Sequence, residues 1–107
     1  MIRSSNVVIP LSKLSGYLLA PRRHNDKSKY LSQAGFTKDN PTFLEQAILD
    51  VVTQNEAVKQ KTNEYGVFYK VVGQLTGPSG ILSVVTIWIV RKGDEKFRFV
   101  TLYPDKD

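Results

Sequence analysis

Apolar positions in the first half of this 107-residue chain recur at helical spacing, and those in the second half at strand spacing. Leu11, Leu14, Leu18 and Leu19 share one helical side, which predicts a helix over residues 11–19 with Ser12 as N-cap. Ala20-Pro21 ends it, because a residue before proline avoids helical backbone. A second short helix is predicted over residues 27–34, with Tyr30, Leu31 and Ala34 as its apolar side and Gly35 as its C-cap. Asn40-Pro41 opens the clearest helix, since Asn is a good N-cap and Pro suits the first helical position. Leu44, Ala47, Ile48, Val51 and Val52 then form a core-facing stripe. Residues 6–9, short and β-branched, read as an edge strand ending at Pro10.

Residues 54–64 are polar and read as a linker into a sheet. Residues 65–76, 81–92 and 97–103 are rich in Val, Ile, Phe, Tyr and Trp and predict three strands. Gly77-Pro78-Ser79-Gly80 and Gly93-Asp94-Glu95 mark the turns between them. A hairpin symmetric about Pro78-Ser79, followed by a turn symmetric about Asp94, sorts the side chains onto two faces. Val67, Tyr69, Val71, Leu75, Leu82, Val84, Trp88, Val90, Val100 and Leu102 form the drier one, with Thr86 and Arg98. Phe68, Lys70, Val72, Val85, Ile87, Phe99, Thr101 and Tyr103 fall on the other, which reads as an open binding face. One bulge would exchange these assignments. The expected architecture is α+β: two or three N-terminal helices packed on a three- to four-stranded antiparallel sheet, in a single domain over residues 1–107.

Arg3, Lys13, Arg22, Arg23, Lys27, Lys29 and Lys38 all fall within the first 38 residues, against the single acid Asp26. Residues 39–107 carry eight bases and nine acids, so the chain's net +5 arises in its N-terminal third. Such asymmetry attracts polyanions, and RNA is the first partner it implies. There is no cysteine and one histidine, His24, which excludes disulfides, thiol nucleophiles, Cys-based zinc sites and paired-histidine catalysis. No cofactor or metal site is expected. No apolar run approaches a membrane span and no signal-peptide core is present, so a cytoplasmic location is expected, without membrane contact.

The densest polar cluster, Arg22-Arg23-His24-Asn25-Asp26-Lys27-Ser28-Lys29, offers donors for phosphate oxygens; a solvated connector between helices is the alternative. His24 could serve as a general base or be passive. Lys29 could hold a phosphate or be an ordinary helix-surface lysine. Thr101 and Tyr103 lie one strand repeat apart, a spacing at which two hydroxyls can bracket a phosphate, although both residues are also good strand formers. Trp88 reads as a core anchor or a base-stacking platform. Arg22, Arg23, His24, Lys27 and Lys70 are the candidate nucleic-acid contacts.

Lys13-Leu14, Tyr17-Leu18-Leu19, Lys29-Tyr30-Leu31, Gly35-Phe36, Glu64-Tyr65-Gly66, Leu75 to Gly80, Trp88-Ile89-Val90 and Arg98 to Pro104 occur in an order that resembles a small bacterial domain family of unknown function, frequent in cyanobacteria. Its layout also resembles the metal-independent barnase–EndoU–colicin–RelE ribonuclease toxins. That resemblance implies a basic helical residue facing the sheet, here Lys29, with Arg98, Thr101 and Tyr103 as strand residues of a catalytic set. The sequence departs from the histidine-based members, since its histidine falls in a loop. The implied function is a metal-independent ribonuclease-type toxin domain, held by an acidic antitoxin- or immunity-like protein. The alternatives are a non-catalytic RNA- or protein-binding module of a two-gene system, and a structural domain. An exposed edge strand would also permit a homodimer.

Overall fold

The computed structural model describes residues 2–19 and 27–105. Its strands are β1 (Val7–Val8), β2 (Ala57–Asn63), β3 (Gly66–Gly77), β4 (Gly80–Arg91) and β5 (Phe97–Pro104), and they form one five-stranded sheet in the order β1-β5-β4-β3-β2. Strands β2 to β5 pair antiparallel, whereas β1 runs parallel to β5 through Val7↔Phe97 and Val8↔Arg98. The expected three- to four-stranded antiparallel sheet is therefore corrected to a five-stranded mixed one. The extra strand is β2, within the stretch read as a linker. Six of its seven side chains are exposed, so it has no apolar alternation to read. A register irregularity between Lys59 and Lys61, with the charge of both, blunts this sheet edge against further pairing.

The helical elements are α1 (Leu11–Lys13), which runs into a wide π-type turn over Leu14–Leu18, then α2 (Ser28–Ser32) and α3 (Pro41–Gln54). The helix expected over residues 11–19 is thus a short helix plus a π turn, closed by Leu19 N–H donating to Leu14 O at 2.8 Å. Pro10, not Ser12, occupies its N-cap position. The stripe of α3 lies as the spacing predicts, with Leu44, Ala47, Ile48, Val51 and Val52 all buried. Asn40 occupies its N-cap position without capping it. Its Oδ1 instead accepts from Thr37 N–H at 2.9 Å, and its Nδ2 donates to Gly35 O at 3.2 Å, which locks the loop between α2 and α3.

Trp88 is a core residue. It is fully buried, meets Phe99 edge-on at 5.4 Å, and donates from Nε1 to Thr86 Oγ1 at 2.8 Å. Thr86 Oγ1 in turn donates to Val71 O at 2.7 Å, so this buried polar group is satisfied on both sides.

The β3–β4 hairpin pairs from Gly77↔Gly80 to Gly66↔Arg91, the register its symmetric turn predicts. Strand β5 begins its pairing with β4 as expected at Val85↔Tyr103 and Thr86↔Leu102, then shifts by one residue, so that Trp88 faces Phe99 and Ile89 faces Arg98. Val100 is the extra residue. The shift corrects the sorting of faces: Phe99 enters the core at 2% exposure, and Arg98 leaves it. The alternative register would turn Arg98 onto the core face opposite Val90 and expose the Phe99 ring, which is unfavourable on both counts.

Helix α2 is tied to the far end of the β3–β4 hairpin. Leu31 is fully buried, Tyr30 Oη donates to Ser83 O at 2.9 Å, and Ser79 N–H donates to Ala34 O at 2.9 Å. A Cβ on Gly77 would run into Ala34 O and would lie 2.8 Å from the Phe36 ring, so this contact requires glycine. The start of α2 is thereby held in place relative to the sheet.

Candidate functional site

Strand β1 covers only Phe97 and Arg98, so among the described residues the outer edge of β5 has no strand neighbour from Phe99 onward. The bulge at Val100 disturbs the opposite ladder at the same place. Two ammonium groups approach this interrupted edge. Lys13 Nζ donates to Val100 O at 3.1 Å, and Lys27 Nζ donates to Thr101 Oγ1 at 2.9 Å.

Local sequence explains the approach. Leu14 and Leu18 are fully buried one helical turn apart, which sets Lys13 and Tyr17, also one turn apart, on the adjoining side. Lys27 directly precedes the anchored α2 and holds its ammonium 5.7 Å from the centroid of the Tyr17 ring. The aromatic face favours a cation there. Ser12, Lys13, Tyr17, Lys27, Val100 and Thr101 line a cavity of about 650 Å³.

None of these six residues carries a carboxylate. Among the described residues the two ammoniums donate to a carbonyl and a hydroxyl, both neutral, so no described carboxylate of the cavity lining cancels either positive charge. An ammonium has three N–H donors, and each of these lysines uses one on β5. The remaining donors suit an anion with several oxygens, such as a phosphate.

The expected catalytic set is dispersed. Of its members, Thr101 lines the cavity; Lys29 lines a separate depression with Ser28, Ser32, Thr37, Lys38 and Asp39. Arg98 Nε binds Asp94 Oδ2 at 2.9 Å. That bond is the main cause holding the Asp94 carboxyl below its ordinary range, with the Lys96 backbone N–H assisting. Tyr103 stands opposite Val85 and is exposed. Of the expected nucleic-acid contacts, Lys27 lines the cavity, while Lys70 shares a cross-strand row with Ile87 and Thr101. Arg22, Arg23 and His24 lie outside the described residues. Lys13 and Tyr17 are additions to the candidate site; their spacing beside Leu14 and Leu18 is the sequence signal that carries them.

Residues 3–106 match a family described as a domain of unknown function, DUF6883. The chain belongs to the DUF6883 family. No curated protein matches it. Among solved structures, this DUF6883 domain is similar to a chain of the contact-dependent growth inhibition toxin–immunity protein complex from Klebsiella pneumoniae 342, with a TM-score of 0.72 and 23% identity. The alignment covers 92% of this chain and 99% of that one, so the two share a fold over nearly their whole lengths. Among the described residues of the DUF6883 domain, no helix is long and apolar enough to cross a membrane, and no group of three or more His, Cys, Asp or Glu residues is placed to hold a metal ion.

Proposed function

We propose that this chain is a metal-independent RNA-cleaving toxin domain whose activity is held in check by an acidic partner protein. One observation carries the reading: Lys13 and Lys27 converge on consecutive residues of β5 in a cavity whose described lining residues include no carboxylate. Cleavage of RNA by its own 2′-hydroxyl needs excess positive charge at the scissile phosphate. The 2′-oxygen gives its proton to solvent and forms a bond to phosphorus. The bond to the 5′-oxygen breaks, and that oxygen takes a proton from solvent. Lys13 and Lys27 stabilise the charge that builds on the non-bridging oxygens, and Thr101 Oγ1, fixed by Lys27, orients the attacking hydroxyl. The basic N-terminal third supports electrostatic capture of RNA and of an acidic inhibitor alike. The shared fold with a chain of a toxin–immunity complex supports the same role.

The test is expression in a bacterial host of wild type, Lys27→Ala and Thr101→Val, read by growth and by the integrity of total RNA. Wild type is expected to arrest growth and fragment RNA, and Lys27→Ala to relieve both. Wild-type expression that leaves RNA intact would remove the enzyme reading.

A second reading, a non-catalytic RNA-binding module, is favoured by one feature: among the described residues the cavity is lined by neither a carboxylate nor an imidazole that could take the 2′ proton. Salt-sensitive RNA binding without cleavage would select it.

A further inference from the structure

The start of α2 serves two depressions. Lys27 lines the cavity at β5, while Ser28 and Lys29 line a second hollow of about 430 Å³. Residues two apart on helical backbone project to nearly opposite sides, so the hollows flank a single turn of chain. Among the described residues, the second hollow brings together Lys29 and Lys38 with one carboxylate, Asp39, over the buried ring of Phe36. Two of its hydroxyls donate within the fold: Ser32 Oγ to Lys29 O at 2.7 Å and Thr37 Oγ1 to Asn40 Oδ1 at 3.2 Å. The Lys29 and Lys38 ammoniums make no hydrogen bond or ion pair among the described residues. They are left to meet an anion, and they outnumber the carboxylate beside them.

Both lysines rise from backbone that is already fixed. Tyr30, Leu31 and Ala34 anchor α2 on the hairpin, and Asn40 closes the loop that carries Lys38. A polyanion seated with one phosphate between Lys13 and Lys27 continues covalently past the first turn of α2, where the second pair of cations stands. We infer that the Lys29–Lys38 hollow is a second phosphate site for the same single RNA strand. The strand is thus gripped at two separate phosphates, and Lys29 and Lys38 bind the substrate without taking part in the reaction. This inference rests on the RNA reading of the Lys27 cavity given above.

The test uses a short, fluorescent 2′-O-methyl oligoribonucleotide, which binds but lacks the nucleophile for cleavage, with a dinucleoside monophosphate carrying one phosphate as competitor. Binding is followed by anisotropy across a salt series for wild type, the Lys29→Ala/Lys38→Ala double variant and the Lys29→Arg/Lys38→Arg double variant. The alanine pair is expected to weaken the oligonucleotide roughly tenfold, as expected for losing contacts to a charged group. It should also flatten the log–log salt slope by about 0.7, the value for one single-strand phosphate contact. Competition by the one-phosphate ligand should be unchanged, and the arginine pair should bind the oligonucleotide as wild type does. Both lysines are exposed, so thermal unfolding of the variants should match wild type.

An alanine pair that binds the oligonucleotide with wild-type affinity and slope overturns the inference, even if the wild type cleaves RNA. Equal weakening of the one-phosphate competitor also overturns it, because the hollow would then not be a separate site. A wild type that binds the oligonucleotide but cleaves no RNA removes the catalytic reading alone.

Discussion

Thr86→Val tests the buried polar link at the centre of the sheet. Valine keeps the shape of the side chain and deletes the hydroxyl that accepts from Trp88 Nε1 at 2.8 Å and donates to Val71 O at 2.7 Å. Both Thr86 and Trp88 are fully buried, so water cannot replace the lost partner of the indole N–H. An unsatisfied buried donor costs about 1–3 kcal/mol, and the net value of the second bond is about 1 kcal/mol. The expected loss is therefore about 2–4 kcal/mol, a large share of the roughly 5–15 kcal/mol that stabilises a typical domain. Urea unfolding followed by far-UV circular dichroism should show it as a lower midpoint at unchanged slope. In a Trp88→Phe background there is no indole N–H to strand, so the second substitution should cost about 1–3 kcal/mol less than it does alone. A Thr86→Val protein within about 0.5 kcal/mol of wild type, or strictly additive substitutions, would mean that the hydroxyl does not link Trp88 to the sheet backbone.

Gly77→Ala should destabilise the domain by about 2–4 kcal/mol, because its methyl group meets Ala34 O and the Phe36 ring and forces the hairpin away from α2; urea unfolding, with hydrogen exchange at the Ser79 amide, checks both the cost and its location. Burial first, and the charge of Asp105 second, push the Tyr30 phenol above its ordinary value of 10.0. A raised folded value means that the stabilisation is whole below pH 10 and is lost as pH rises through the folded value. Urea midpoints should thus fall on the alkaline side in wild type, and less steeply in Tyr30→Phe. Lys13→Ala should leave stability within about 0.5 kcal/mol, since its bond to Val100 O is a partly exposed one, while lowering RNA affinity and its salt slope; thermal unfolding and anisotropy with a labelled oligonucleotide separate the two effects.

Elements that bury one side were legible in the chain. The stripe of α3 and the β3–β4 register follow from periodicity and from the Gly77-Pro78-Ser79-Gly80 turn, because burial of alternate or every third to fourth residue leaves a mark. Strand β2 buries almost nothing and left none. The parallel pairing of Val7–Val8 with β5 joins residues some ninety positions apart, and nothing local encodes it. The bulge at Val100 is decided by which side chain packs against Trp88, a tertiary competition that a symmetric turn rule does not contain. The same limits governed the site. The resemblance to the ribonuclease toxins implies a cationic approach to the last strand by Lys29, with Arg98, Thr101 and Tyr103. The lysines that reach β5 are Lys27 and Lys13, because the unpaired edge of β5 lies beside the π turn and the entry to α2. Arg98 is instead held by Asp94, four residues earlier, a pairing that the bulge favours by turning its side chain off the core face.

The most direct measurement is incubation of the purified protein with total tRNA in the presence of EDTA, comparing wild type with Lys27→Ala and with Lys13→Ala/Lys27→Ala. Fragments from the wild type that end in a 2′,3′-cyclic phosphate, lost progressively in the two variants while their folding is intact, are the predicted result. Intact tRNA with the wild type, or undiminished cleavage by the double variant, would contradict the assignment of the Lys13–Lys27–Thr101 cavity as the reacting site.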